Sequence, residues 1–133
     1  PEARRYHAAA PLNDGRVLVC GGLTGASSAN TAWIYDPATN SWSNAANMPA
    51  TRYSHAAAPL NDGRVLVCGG LTGTGSANTA RIYNPATNSW SNAANMPEAR
   101  RYHAAAPLND GRVLVCGGTQ TGISSVNTAW IYG

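Results

Sequence analysis

Apolar and polar positions alternate along this chain in short bursts, and no stretch keeps a helical period with caps, so helix content near zero is expected. "HAAAPL" (7–12) is a strand of small residues, followed by Asn13-Asp14-Gly15, where Asp-Gly signals a tight hairpin turn. "RVLVC" (16–20) is apolar and β-branched and is bounded by Gly21-Gly22, which predicts a buried central strand. "LTGASSAN" (23–30) reads as a flexible loop, and "TAWIY" (31–35) as a third, aromatic strand. "DPATNS" (36–41) is a turn in which Pro37 presets φ and Asp36 and Asn40 can bond to the local backbone. "WSNAA" (42–46) is a shorter fourth strand, and "NMP" leads onward.

The same pattern then starts again. His7, His55 and His103 are 48 residues apart, as are Cys20, Cys68 and Cys116. Residues 1–48 and 49–96 differ at only eight positions, and 97–118 repeat 1–22 without a change. The third copy has one extra residue between Gly118 and Asn127 and breaks off on its third predicted strand. The organisation is therefore one unit over 1–48, a second over 49–96, and an incomplete third over 97–133. Four antiparallel strands per 48 residues suit one propeller blade better than a solenoid coil, with Ala8, Ala9 and Ala10 fitting the crowded innermost strand.

Arg4-x-x-His7, Gly21-Gly22 after an apolar strand, Tyr35-Asp36-Pro37, and Trp42 six residues beyond Asp36 together resemble the kelch repeat. The resemblance spans the chain, with Asp36 replaced by Asn84 and the Trp absent from the third copy. It implies an all-β propeller of four-stranded antiparallel blades, in a family whose rings have about six or seven. A blade cannot bury both faces alone, so three blades should close with another copy. The expected form is a homodimer with a six-bladed ring, blade 3 of one chain meeting blade 1 of the other. The third strand of blade 3 would leave an apolar edge at Trp130, Ile131 and Tyr132.

Composition narrows the function. The nine cations are all Arg and the formal charge is only +3, so nothing calls for nucleic acid. No apolar run approaches the ~20 residues of a membrane helix. No carboxylate pair or nucleophile motif suggests catalysis, and no cofactor signature is present, so no catalytic residue, cofactor or metal ligand is expected. The copper-radical oxidases that share a kelch-like propeller need a Tyr–Cys pair and His ligands on irregular loops, whereas here Cys and Tyr recur in the frame of every unit. The compartment is not legible. The expected function is a non-enzymatic scaffold for binding or self-assembly. The alternatives are a piece of a larger kelch-domain enzyme or surface protein whose chemistry lies elsewhere, or an amplified or designed repeat with no ligand.

Differences between copies concentrate on one expected face: Glu2/Ala50, Ala3/Thr51, Arg5/Tyr53, Tyr6/Ser54, Ala26/Thr74, Ser27/Gly75, and Thr119 through Val126. The exceptions are Trp33/Arg81/Trp130 and Asp36/Asn84. The candidate binding face therefore carries Arg5, Tyr6, Tyr53, Arg101 and Tyr102, suited to a protein or glycan ligand. Unconstrained drift of long loops would give the same pattern. A second candidate is an axial ring of Arg4, Arg52, Arg100, His7, His55 and His103. For the histidines, a metal ring competes with hydrogen bonding within or between blades. For the arginines, an anion ring competes with a structural role. The three cysteines, in equivalent places, are expected to be free buried thiols.

Overall fold

The computed structural model describes residues 1–120 and 124–133. Three antiparallel sheets follow one another along the chain, and no helix occurs among the described residues. The first contains β1 (Ala8–Pro11) and β2 (Val17–Cys20); a separate small hairpin, β3 (Leu23–Thr24) and β4 (Ser27–Ser28), intervenes before β5 (Ala32–Asp36) and β6 (Ser41–Ala45). Its order is β1-β2-β5-β6. The second unit repeats this with β7 (Ala56–Pro59), β8 (Val65–Cys68), the hairpin β9 (Leu71–Thr72) and β10 (Gly75–Ser76), then β11 (Ala80–Asn84) and β12 (Ser89–Ala93). The third has β13 (Ala104–Pro107), β14 (Val113–Cys116) and β15 (Ala129–Tyr132), ordered β13-β14-β15.

The expected strands lie within a residue of the observed ones. Each turn follows from its sequence. Asp14 accepts the Arg16 N–H at 3.1 Å and its Nε–H at 2.8 Å, while Leu12 N–H reaches Arg16 O at 2.8 Å, closing the first hairpin. Asp36 accepts the Ala38 N–H at 2.9 Å, and Asn84 does the same for Ala86 at 3.0 Å, so that exchange leaves the turn chemistry unchanged. Asn40, at φ 50°, accepts the Tyr35 hydroxyl at 2.8 Å.

One reading needs correction. Residues 23–30 are not a featureless loop: Leu23 pairs with Ser28 and Thr24 with Ser27. Composition hides this hairpin because its strands are two residues long. Neighbouring backbone reinforces it, since Arg5 and Leu23 exchange N–H···O bonds of 3.0 and 2.8 Å. The inter-unit connection is thus the third strand of a small ribbon, repeated by Tyr53 with Leu71 and Arg101 with Thr119. Of the variable stretch Thr119 through Val126, residues 121–123 lie outside the described residues.

Strand alternation gives each sheet two faces, and the sheets stack through them. Leu18, Cys20 and Ile34 of the first sheet bury against Val65, Val67 and Tyr83 of the second. Leu66, Cys68 and Ile82 of the second repeat this against Val113, Val115 and Trp130 of the third. The alanine strands β1, β7 and β13 run side by side along the inner edge, where small side chains permit close approach. Trp90 closes the outer part of the first junction, its indole N–H donating to Ala46 O at 2.7 Å. The corresponding space between the second and third sheets is a cavity of about 410 Å³, lined by Ala94, Met96, Trp130 and Tyr132 among others. The outermost faces lack such cover: Trp42 is 46% exposed, and Ile131 is 51% exposed where its counterparts Ile34 and Ile82 are 5%.

Candidate functional site

At the inner end of each ribbon the chain crosses from one unit to the next. Tyr6, Ser54 and Tyr102 all sit there at φ 56–57°. This left-handed conformation is uncommon for a non-glycine residue and is held by neighbours: Ser54 N–H donates to Tyr6 O at 2.8 Å, and Tyr102 N–H to Ser54 O at 2.9 Å. The turn throws aromatic rings together above the inner strands. The Tyr6 ring centroid lies 6.5 Å from that of Tyr53 and 6.3 Å from that of Tyr102. Arg5 stands over the Tyr6 ring at 5.8 Å and Arg101 over Tyr102 at 5.9 Å. Tyr6 and Tyr102 remain half-exposed. The structure thus brings Arg5, Tyr6, Tyr53, Arg101 and Tyr102 into one solvent-facing group contributed by three units.

Arg4, Arg52 and Arg100 lie elsewhere, folded back into their own units. Each Nη1 donates to the carbonyl of the first glycine of the pair, Gly21, Gly69 or Gly117, at 2.9–3.0 Å. Each Nη2 donates to a threonine hydroxyl, Thr31, Thr79 or Thr128, at 2.8–3.1 Å. The threonine recurs in every copy, a signal that sequence reading passed over. Arg52 and Arg100 are essentially inaccessible. Glu2 pairs with Arg4 at 3.0 Å and Glu98 with Arg100 at 3.1 Å. Glu98 is further held by Gln120 and by the Thr128 hydroxyl.

The histidines bind across unit boundaries. His55 Nε2 lies 3.7 Å from Cys20 Sγ, and His103 Nε2 lies 3.7 Å from Cys68 Sγ and 3.1 Å from the Cys68 carbonyl. The carbonyl contact assigns the His103 proton to Nε2 and makes its Nδ1 an acceptor, and Nδ1 of both rings is buried without a hydrogen-bond partner. Burial, and Arg52 nearby, push His55 down to about 3; burial, opposed in part by the Cys68 carbonyl, brings His103 to about 4. His7 precedes the first sheet without such a partner and is lowered only by partial desolvation and Arg4. All three cysteines are free, and burial raises the Cys20 thiol to about 12 and Cys68 to about 11, far from thiolate reactivity. Among the described residues, no three His, Cys, Asp or Glu side chains gather as a metal site.

Four-stranded antiparallel sheets stacked face to face along a line of inner strands are the blades of a β-propeller. A sequence model described as the KLHDC2/KLHL20/DRC7 Kelch-repeats domain matches residues 1–118, and the chain belongs to the kelch-repeat family. It is similar to the human Kelch domain-containing protein 1, with 32% identity over 53 residues, a match covering 39% of this chain and 13% of that protein.

Proposed function

We propose that this chain is a non-catalytic kelch scaffold that binds a partner protein segment through Arg5, Tyr6, Tyr53, Arg101 and Tyr102. The carrying observation is the convergence of three tyrosines from three blades while two remain half-exposed. Aromatic rings with guanidinium groups over them supply rigid apolar area and cationic donors, a combination suited to an acidic segment. Blade stacking holds the group, and the ribbon bonds at Arg5, Tyr53 and Arg101 fix the crossing loops from below. The test is display selection of random peptides on the 133-residue chain, with Tyr6→Ser/Tyr102→Ser as counter-target. Serine already occupies that turn at position 54, at the same φ, so the variant keeps the backbone. Peptides that bind the parent and bind the variant at least about tenfold more weakly, the loss of one or two anchors, support the reading. Equal binding of parent and variant, or no selected peptide, would refute it.

The second part of the proposal concerns assembly: two chains close into a six-bladed ring. Support comes from equivalence of the outer faces to faces already joined. Val17, Val19, Tyr35 and Trp42 of blade 1 correspond to Val65, Val67, Tyr83 and Trp90, which cover the preceding blade. Leu114, Cys116 and Ile131 of blade 3 correspond to Leu66, Cys68 and Ile82, which receive the following blade. A second copy therefore presents to blade 3 the same residues that blade 2 presents to blade 1.

A further inference from the structure

The three copies differ in a way that leaves a charge unanswered in the second. Where position 2 of the unit is glutamate (Glu2, Glu98), the residue in the middle of the third strand is tryptophan (Trp33, Trp130). Where that glutamate is replaced by Ala50, the tryptophan is replaced by Arg81. The group formed by these two positions and the buried arginine is thus neutral in the first and third blades. In the second it carries two positive charges.

The geometry shows what is missing. Arg4 Nη2 is shared between the Thr31 hydroxyl and the Glu2 carboxylate, and Arg100 Nη2 between Thr128 and Glu98. Arg52 Nη2 has the Thr79 hydroxyl at 3.1 Å and no carboxylate. Its side chain is nonetheless as inaccessible as that of Arg100, with Arg52 1% and Arg100 0% exposed. Arg81 lies in β11, two residues beyond Thr79 in sequence, with Nη1 turned back to Ala80 O at 3.0 Å. The Nε groups of Arg52 and Arg81 are both buried without acceptors. Burial, with the Arg81 charge adding to it, lowers the Arg52 pKa, so the two cations act on each other. No acidic residue is left to answer them: Glu2, Asp14, Asp62, Glu98 and Asp110 pair with other arginines, and Asp36 caps its own turn. A buried guanidinium beside a second cation is costly without an anion. The place is reachable, because the Glu2 side chain that fills its counterpart is 48% exposed and Ala50 is only half-buried.

We infer that the second blade holds a small free carboxylate in the slot that Glu2 and Glu98 fill in the first and third, bound by Arg52 Nη2 and the Arg81 guanidinium. Its planar pair of oxygens matches the guanidinium fork, which distinguishes it from a spherical halide. The site is separate from the tyrosine group and does not depend on any reading of it.

The test replaces sodium chloride by sodium formate at constant ionic strength and follows thermal stability and the Arg side-chain N–H resonances of the 133-residue chain. A saturable rise in Tm, with a saturable shift of the Arg52 signals, is expected. Ala50→Glu restores the residue found in the other two copies; it should raise Tm in chloride and abolish the formate response. Arg81→Trp, again the residue of the other copies, should weaken half-saturation about tenfold, the worth of one charge-assisted hydrogen bond. Both substitutions copy existing blades, so folding is retained. A formate response absent in the parent, linear in concentration, or unchanged in Ala50→Glu would overturn the site.

Discussion

Gly69→Ala is expected to lower the urea midpoint of the chain far more than Gly15→Ala does. Both glycines have positive φ, +70° and +89°, so both substitutions carry the strain of a left-handed alanine, roughly 1–2 kcal/mol. Their surroundings differ. A Cβ on Gly15 meets nothing within 4 Å, whereas one on Gly69 meets Arg100 O and His103 Cε1 at 2.6 Å and Met96 Cε at 3.0 Å. Two of these three atoms belong to the next blade, and one is backbone, which cannot rotate aside. Overpacking adds about 1–3 kcal/mol and brings the total for Gly69→Ala to about 2–5 kcal/mol, a large share of domain stabilities of roughly 5–15. Urea midpoints for the two variants measure the difference. Equal midpoints would mean that the blades do not approach through this glycine.

Acid should unfold the protein through its histidines, well before the carboxylates matter. His55 and His103 are held neutral in the folded chain, near 3 and 4, and return to their ordinary value of about 6.5 when it unfolds. Below that value the unfolded chain binds more protons, so stability is full above about pH 6.5 and falls as pH drops toward 4. Each histidine contributes a slope of about 1 kcal/mol per pH unit in that window. The structural cause is Nδ1, which would gain a proton with no acceptor inside the blade junction. Urea unfolding at pH 7, 6 and 5 should show the decline, and His55→Gln/His103→Gln should flatten it. A midpoint constant from pH 7 to 5 in the parent would show the rings to be solvated.

The blade was legible because its signals are local. Asp-Gly turns, the β-branched "VLVC" strand and the Tyr-Asp-Pro turn each act within a few residues, and the 48-residue period multiplies them. The loop hairpins β3–β4 and β9–β10 were not legible, because strands of two residues have no pattern of their own and are held by the distant backbone of Arg5 and Tyr53. The grouping of Arg5, Tyr6, Tyr53, Arg101 and Tyr102 on one face could be read from where the copies differ, but not the left-handed turn that gathers the rings. Arg4, Arg52 and Arg100 recur beside the histidines in sequence, yet their side chains turn into the blade toward glycine and threonine. The exchanges of Glu2 for Ala50 and Trp33 for Arg81 are visible as separate differences. Only the path of the Arg52 side chain shows that they concern one group of charges.

Successive blades join through one repeated junction, and the proposed ring makes this chain's outer faces its two unjoined halves. Gly117 marks the free half: its φ is +73°, close to that of Gly21 and Gly69, yet among the described residues a Cβ there would meet nothing within 4 Å. Absolute mass by light scattering after size exclusion, for the parent and for Gly117→Ala, tests this most directly. A parent species of twice 13.8 kDa is expected. Gly117→Ala should fall to a folded 13.8 kDa monomer, since its methyl group blocks the place where Arg4 and His7 of a second copy would enter. A monomeric parent, or a dimer indifferent to Gly117→Ala, would contradict it.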